Sequence, residues 1–125
     1  MQNTNQHLLD FVYFAIYNIR MLVAFADIEG FDWDWANVEK NLTKHGVRRQ
    51  EVEEVFQDLD KCFYDDLKHS TQAETRSAVT GKSHSGRLLT IFFTVRRNKI
   101  RAISARDSSR KERQLYEEAF NSTKI

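Results

Sequence analysis

Residues 88–116 read LLTIFFTVRRNKIRAISARDSSRKERQLY, and the order strand, turn, strand, helix within them decides the fold. Residues 88–95 form a continuous apolar and β-branched run, the composition of a central strand. Residues 96–99 turn the chain. Residues 100–106 follow as a second strand whose alternation is imperfect: Ile100, Ala102, Ser104 and Arg106 share one face, and Arg101, Ile103 and Ala105 the other. Strict alternation sends the two arginines to opposite faces, so only a twist, a bulge or an edge position brings both to one ligand. Ser109 and Glu112 make a capping box ahead of Leu115, Tyr116, Ala119 and Phe120, the inward stripe of a final helix. The strand-to-helix junction therefore reads as an anion site. Arg101 and Arg106 are planar, permanently charged donors beside the free N–H groups of a helix starting near Ser109, and a phosphate chain is the expected ligand.

Upstream of this piece, residues 75–80 read as a strand, 82–86 as a polar turn, and 62–66 as a short aromatic edge strand. Val52, Val55, Phe56 and Leu59 recur at helical spacing, with Arg49, Gln50, Glu53, Glu54 and Gln57 turned outward, so an amphipathic helix is expected to end near Asp58. Before it, a helix over about 35–45 takes Asp34 as its cap, turns Val38 and Leu42 inward and stops at Gly46. A small strand is expected near Phe31. These elements describe an α+β domain, a small antiparallel sheet of three to five strands packed with two helices from its N-terminal side and one at the C-terminus.

A chain of 125 residues is one domain's worth. Its net charge of +1 conceals a split, because Asp and Glu crowd residues 27–66 whereas 76–113 carry eight Arg and three Lys. A basic second half is the electrostatic footprint of a nucleic-acid binder, with a solvated, salt-bridged surface as the plain alternative. Cys62 is the single cysteine, which excludes an intramolecular disulfide and fits a small core residue in a cytoplasmic protein. His7, His45, His69 and His84 lack metal-ligand spacing, so neither a structural metal nor a cofactor is expected. Residues 8–26 are apolar on nearly every side, but Asp10, Asn18 and Arg20 interrupt them, leaving less than the roughly 20 residues a bilayer crossing needs. The first ten residues hold no Lys or Arg, so no positively charged leader region is present, and neither a membrane span nor a signal peptide is read here. Two readings of residues 1–30 stay open: an interface or core-covering element, and upstream residues added by a start codon placed too early, with Met21 as the alternative start.

Three pieces occur in one order: Phe-Asp-Trp-Asp at 31–34 leading to Asn-Leu-Thr-Lys-His-Gly-Val at 41–47; then His69-Ser70, Glu74, Arg76, Gly81, Ser83 and Gly-Arg-Leu-Leu at 86–89; last Ile-Arg-Ala-Ile-Ser-Ala-Arg at 100–106 with Glu112-Arg113 and Tyr116-Glu117. In this the chain resembles the BrnT family of type II toxins, over about residues 31–118 of a domain taken as 31–121. The resemblance implies a RelE-like α+β ribonuclease that halts translation by cutting RNA. It also implies a BrnA-type ribbon-helix-helix antitoxin and repression of the operon by the complex, so that operator DNA is met only through the antitoxin. Family members commonly show Asp-Pro-x-Lys after the tryptophan, where this chain has Trp35 for the Pro and Asn37 for the Lys.

RNA supplies its own nucleophile, the 2′-OH beside the scissile phosphorus, so the protein must provide position, charge and proton transfer. Arg76, Arg87, Arg101 and Arg106 are the candidates for holding the phosphate and its extra transition-state charge. Lys44 and His45 lie together at a helix end. His45 is the first candidate for proton transfer, with Glu74 second, because histidine exchanges protons near neutral pH. Arg87, His69 and Tyr116 are candidate RNA contacts, Tyr116 having an inward core position as its plainer alternative. A homodimer through the apolar N-terminal segment completes the expected partners. The rival to an endoribonuclease is a catalytically weakened or inactive module that binds antitoxin or nucleic acid.

Overall fold

The computed structural model describes residues 4–66, 70–71 and 74–122. In chain order the elements are α1 (Thr4–Ala24), a 3-10 turn (Phe25–Asp27), β1 (Gly30–Phe31), α2 (Val38–Thr43), α3 (Arg49–Gln57), β2 (Cys62–Asp65), β3 (Ser77–Lys82), β4 (Leu88–Arg96), β5 (Lys99–Asp107) and α4 (Arg110–Ser122). The sheet runs β1-β5-β4-β3-β2. Four strands are antiparallel as expected; β1 makes the sheet mixed, since it pairs parallel to β5 with Gly30 opposite Lys99 and Phe31 opposite Ile100.

One face of the sheet carries the core. Phe63, Val79, Ile91 and Ala105 are successive partners across β2 to β5, and α2 and α3 bring Val38, Leu42, Val52 and Val55 against them. Thr80, Thr90 and Arg106 are partners on the opposite face. The alternation problem in β5 is resolved by a bulge: Phe93 pairs with Ala102 and Phe92 with Ser104, so Ile103 is an extra residue without a partner. That insertion shifts the parity of the strand. Arg101 opposite Thr94 and Arg106 opposite Thr90 thus lie on one face, away from the core. The β4–β5 hairpin closes through Arg97 and Asn98, both at positive φ (52° and 63°), the geometry whose twist suits a two-residue turn.

Four helix expectations need correcting. α2 begins at Val38 instead of Trp35, because Asn37 sits at φ 68°, a left-handed conformation that stops a helix from running through it. Asp34 is not its cap. Leu59 lies beyond the end of α3 and is 95% exposed, and Glu54, assigned to the outer face, is buried where its carboxylate accepts the His84 amide at 3.0 Å. Gly46 at φ 65° ends the α2 segment as expected. The side chain of Phe120 and all of His69 lie outside the described residues.

The N-terminal segment is a continuous helix that Asp10, Asn18 and Arg20 do not interrupt, and by length and composition it is long and apolar enough to cross a membrane. It lies along β2. The Asn18 side-chain amide donates to the Phe63 carbonyl at 3.0 Å while its oxygen accepts the Phe63 N–H at 2.8 Å, filling the open side of an edge strand. Tyr13 donates to Asp65 at 2.9 Å, the hydroxyls of Tyr17 and Ser77 share a hydrogen bond at 3.1 Å, and Phe25 stacks on Phe63 with ring centres 5.1 Å apart.

Candidate active site

The face opposite the core divides the predicted site residues into separate groups. At the β1 end, Arg101 donates Nε to the Asp32 carboxylate at 2.8 Å. Asp32 is delivered by the β1–β5 pairing, its own amide donating to the Ile100 carbonyl at 2.9 Å. The hydrogen bond from Arg101 holds the Asp32 carboxyl below its ordinary range. Arg101 lines a cleft of about 180 Å³ with Arg76, Arg96, Glu74, Trp35 and Thr94. Its carboxylate stands between two cations: Glu74 Oε1 is 3.7 Å from Arg76 Nε, and Oε2 is 3.5 Å from Arg96 Nη2. Thr94 donates Oγ1 to the Thr75 carbonyl at 3.1 Å, fastening the strand that carries Glu74 and Arg76 to β4. A second hollow of about 320 Å³ adjoins the first through Arg96 and Arg101 and adds Arg97 and Lys99.

Arg106 does something else. Its guanidinium meets the Glu112 carboxylate in a two-pronged pair, Nη1 at 2.7 Å and Nη2 at 2.9 Å, and lies over the Phe92 ring. Glu112 also accepts the Ser109 amide at 2.7 Å and the Thr90 hydroxyl at 3.0 Å. The anion expected at the strand-to-helix junction is therefore the chain's own carboxylate, drawn there by the capping box. Burial works to raise the Glu112 carboxyl, but Arg106, the Ser109 amide and Thr90 outweigh it and hold it at about 2. From Thr90 a chain of hydroxyls continues to Thr80 and Tyr64 at 2.8 and 2.7 Å, so this side of the sheet is a satisfied polar network.

At the far end of β5, Arg87 donates to Asp107 at 2.8 and 3.2 Å and to the carbonyls of Gly46 at 2.9 Å and His45 at 3.2 Å. Arg87 is thus a clamp between the α2–α3 turn and the sheet. Lys44 and His45 are exposed there. With about 3.3 Å per strand residue, this end lies roughly 20 Å along β5 from Arg101. The expected single constellation is accordingly corrected: Arg76 and Arg101 share a cleft with Glu74, Arg106 is bound into the polar network of Glu112, and Lys44, His45 and Arg87 stand apart. Tyr116 is 5% exposed and donates its hydroxyl to Asp58 at 2.8 Å, so it is a core residue and not a stacking platform.

Arg96 and Asp32 are the cleft residues that sequence reasoning missed. Arg96 was within reach, since it follows Thr94 by two along β4 and so faces the same way; reading it as turn concealed that. The role of Asp32 depends on a parallel pairing between segments almost 70 residues apart, which local pattern does not announce. Among the described residues no three His, Cys, Asp or Glu side chains come together as a metal-holding group.

The chain is a small α+β domain with three guanidinium groups and one carboxylate lining an open cleft. The family described as ribonuclease toxin, BrnT, of type II toxin-antitoxin systems matches residues 33–112, and the chain belongs to that family. RNA as substrate and an antitoxin as partner follow from that membership. No curated protein matches the chain.

Proposed function

We propose that this chain is a metal-independent endoribonuclease that cuts RNA in the cleft of Arg76, Arg96 and Arg101 and thereby stops translation in the cytoplasm. The observation that supports the reading is the cleft those three cations line with Glu74, whose carboxylate lies beside two of them, Arg76 and Arg96. Asp32 engages Nε of Arg101, which leaves the two Nη groups directed by a fixed anchor for phosphate oxygens. Glu74 takes the proton of the 2′-OH, the 2′-oxygen forms its bond to phosphorus, and the bond from phosphorus to the 5′-oxygen breaks. The products are a 2′,3′-cyclic phosphate and a 5′-OH, whose proton comes from water in the open cleft. The guanidinium groups stabilise the added negative charge of the pentacoordinate state.

Purified protein given end-labelled RNA in EDTA is expected to yield cyclic-phosphate ends, with Glu74→Gln slowing cleavage by at least about 100-fold, the usual weight of a general base. RNA left intact by a large excess of enzyme would instead favour the binding module. That rival has one observation behind it: Asn37, at the position where the family resemblance implies a lysine, is exposed in a left-handed turn and offers no cation.

The regulatory partner we infer is a BrnA-like ribbon-helix-helix antitoxin, through which the complex reaches operator DNA. A second copy of this chain is a further partner. Leu9, Val12, Ile16, Ile19 and Val23 are exposed on α1 at alternating spacings of three and four, the seam of a helix pair. Asp10 and Arg20 lie exposed in opposite halves of α1, so a two-fold antiparallel pairing sets unlike charges together twice. Crossing a membrane would instead strip Asn18 from Phe63. Light scattering is expected to give twice the mass of one chain, Ile16→Glu to give a monomer, and Asp10→Arg to weaken a dimer that Asp10→Arg with Arg20→Asp restores. A wild-type monomer at high micromolar concentration rules the pairing out.

A further inference from the structure

The arginine cleft has a second basic hollow beside it, at the tip of the β4–β5 hairpin. Across these strands Thr94 faces Arg101 and Arg96 faces Lys99, and each strand's two residues are two positions apart, so all four stand on the face away from the core. Thr94 and Arg101 belong to the cleft, whereas Arg96, Arg97, Lys99 and Arg101 line the hollow of about 320 Å³ together with Asp32. Cleft and hollow thus share one side of the sheet, a strand step of about 7 Å apart.

The tip is held in place. Asn98 gives its carbonyl to the Glu29 amide at 2.7 Å, and Lys99 pairs with Gly30 of β1. Its charge is not used up. Four cations line the hollow against one carboxylate, Asp32, which Nε of Arg101 already engages. Glu74 reaches Arg96 from the cleft at 3.5 Å, while among the described residues neither Arg97 nor Lys99 is in an ion pair. Four cations against these two carboxylates leave a surplus of two positive charges, which a single phosphate in the cleft would not meet. RNA brings another phosphate on either side of the one being cut, spaced on the scale of one such strand step. We propose that the hairpin hollow seats the backbone phosphate next to the scissile one. RNA is then held by two consecutive phosphodiesters, with Arg96 and Arg101 between them and Arg97 and Lys99 gripping the outer one.

The inference rests on the cleft being the site of the cut phosphate, and the test separates the two. A short oligoribonucleotide, its cut bond mapped beforehand, is prepared with one methylphosphonate, a linkage without charge, at each other position in turn. Each is also made as a non-cleavable 2′-O-methyl copy for binding. With the wild-type protein, one linkage immediately beside the cut bond is expected to stand out: neutralising it lowers kcat/KM about 10-fold and weakens binding of the 2′-O-methyl copy similarly, the scale of one hydrogen bond to a charged group. Arg97→Gln with Lys99→Gln is expected to bring unmodified RNA down to that level and to leave RNA neutral at that linkage unchanged. The same pair of substitutions should flatten the dependence of log Kd on log salt by about 0.7, one single-strand phosphate contact. Each substitution alone is expected to go part of the way, and thermal melts identify the variants that fold.

If neither neighbouring linkage stands out with the wild-type protein, or if the double variant slows charged and neutralised RNA equally, the second seat is overturned while Glu74-dependent cleavage stands. If RNA is never cut, yet one linkage of the 2′-O-methyl copy shows the loss and the double variant abolishes it, the hollow stands as a phosphate seat and the ribonuclease reading falls. Absence of any RNA binding overturns both.

Discussion

Arg101→Ala is expected to lower kcat/KM for RNA cleavage by roughly 10²- to 10³-fold, the usual loss when one pre-positioned donor to transition-state charge is removed. The expectation follows from how Arg101 is held. Its guanidinium is not a loose surface charge, because Asp32 fixes Nε at 2.8 Å and the β1–β5 pairing fixes Asp32. Arg101→Lys is expected to recover little, since an ammonium cannot keep the Asp32 bond and present two parallel donors at once. Asp32→Asn should give an intermediate loss, as it leaves the cation and releases its aim. Because the Arg101–Asp32 pair is partly exposed, the melting temperature is expected to shift little in all three variants. Single-turnover rates with thermal melts check the set. Cleavage that survives Arg101→Ala but fails in His45→Ala would move the chemistry to the opposite end of β5.

Glu112→Ala is expected to be the most destabilising of the polar substitutions, by about 3 kcal/mol, because it strands several partners together. Arg106 loses both prongs of its pair, the Ser109 amide loses its cap, and the Thr90 hydroxyl loses its acceptor. A chain of this length would then melt about 10 °C lower. Arg106→Ala should also lower the melting temperature but keep cleavage within a few-fold, since Arg106 faces Glu112 and Phe92 and not the cleft.

The same carboxylate makes stability depend on acid. Its folded-state value of about 2 lies below the ordinary 4.5, so the Glu112 contribution is complete above pH 4.5 and is lost as the pH falls toward 2. Urea titrations across that interval should show the midpoint falling in the wild type, and falling less steeply in Glu112→Gln.

Much of the sheet was legible from local pattern. The unbroken apolar run of β4, the capping box at Ser109 and the left-handed glycine at 46 each act within a few residues, and each is where the sequence placed it. The bulge at Ile103 was legible only as a contradiction, two arginines on opposite faces that one ligand would need on the same face. Its location depends on pairing with β4, which composition does not specify. The site was harder to read, because an arginine in the sequence does not reveal its carboxylate. Arg106 and Arg87 looked like ligand-binding charges until Glu112, Asp107 and the carbonyls at 45 and 46 were seen to occupy them. Arg101 joins Arg76 and Glu74 only through long-range pairing, because β4 lies between β3 and β5 in the sheet.

Asn18 has a consequence beyond docking a helix. With one side chain it satisfies the amide and the carbonyl that Phe63 would otherwise hold out to any passing backbone. A protein with α1 lifted away would offer that border to foreign chains, so the helix serves as a guard against runaway self-stitching of sheets into fibres.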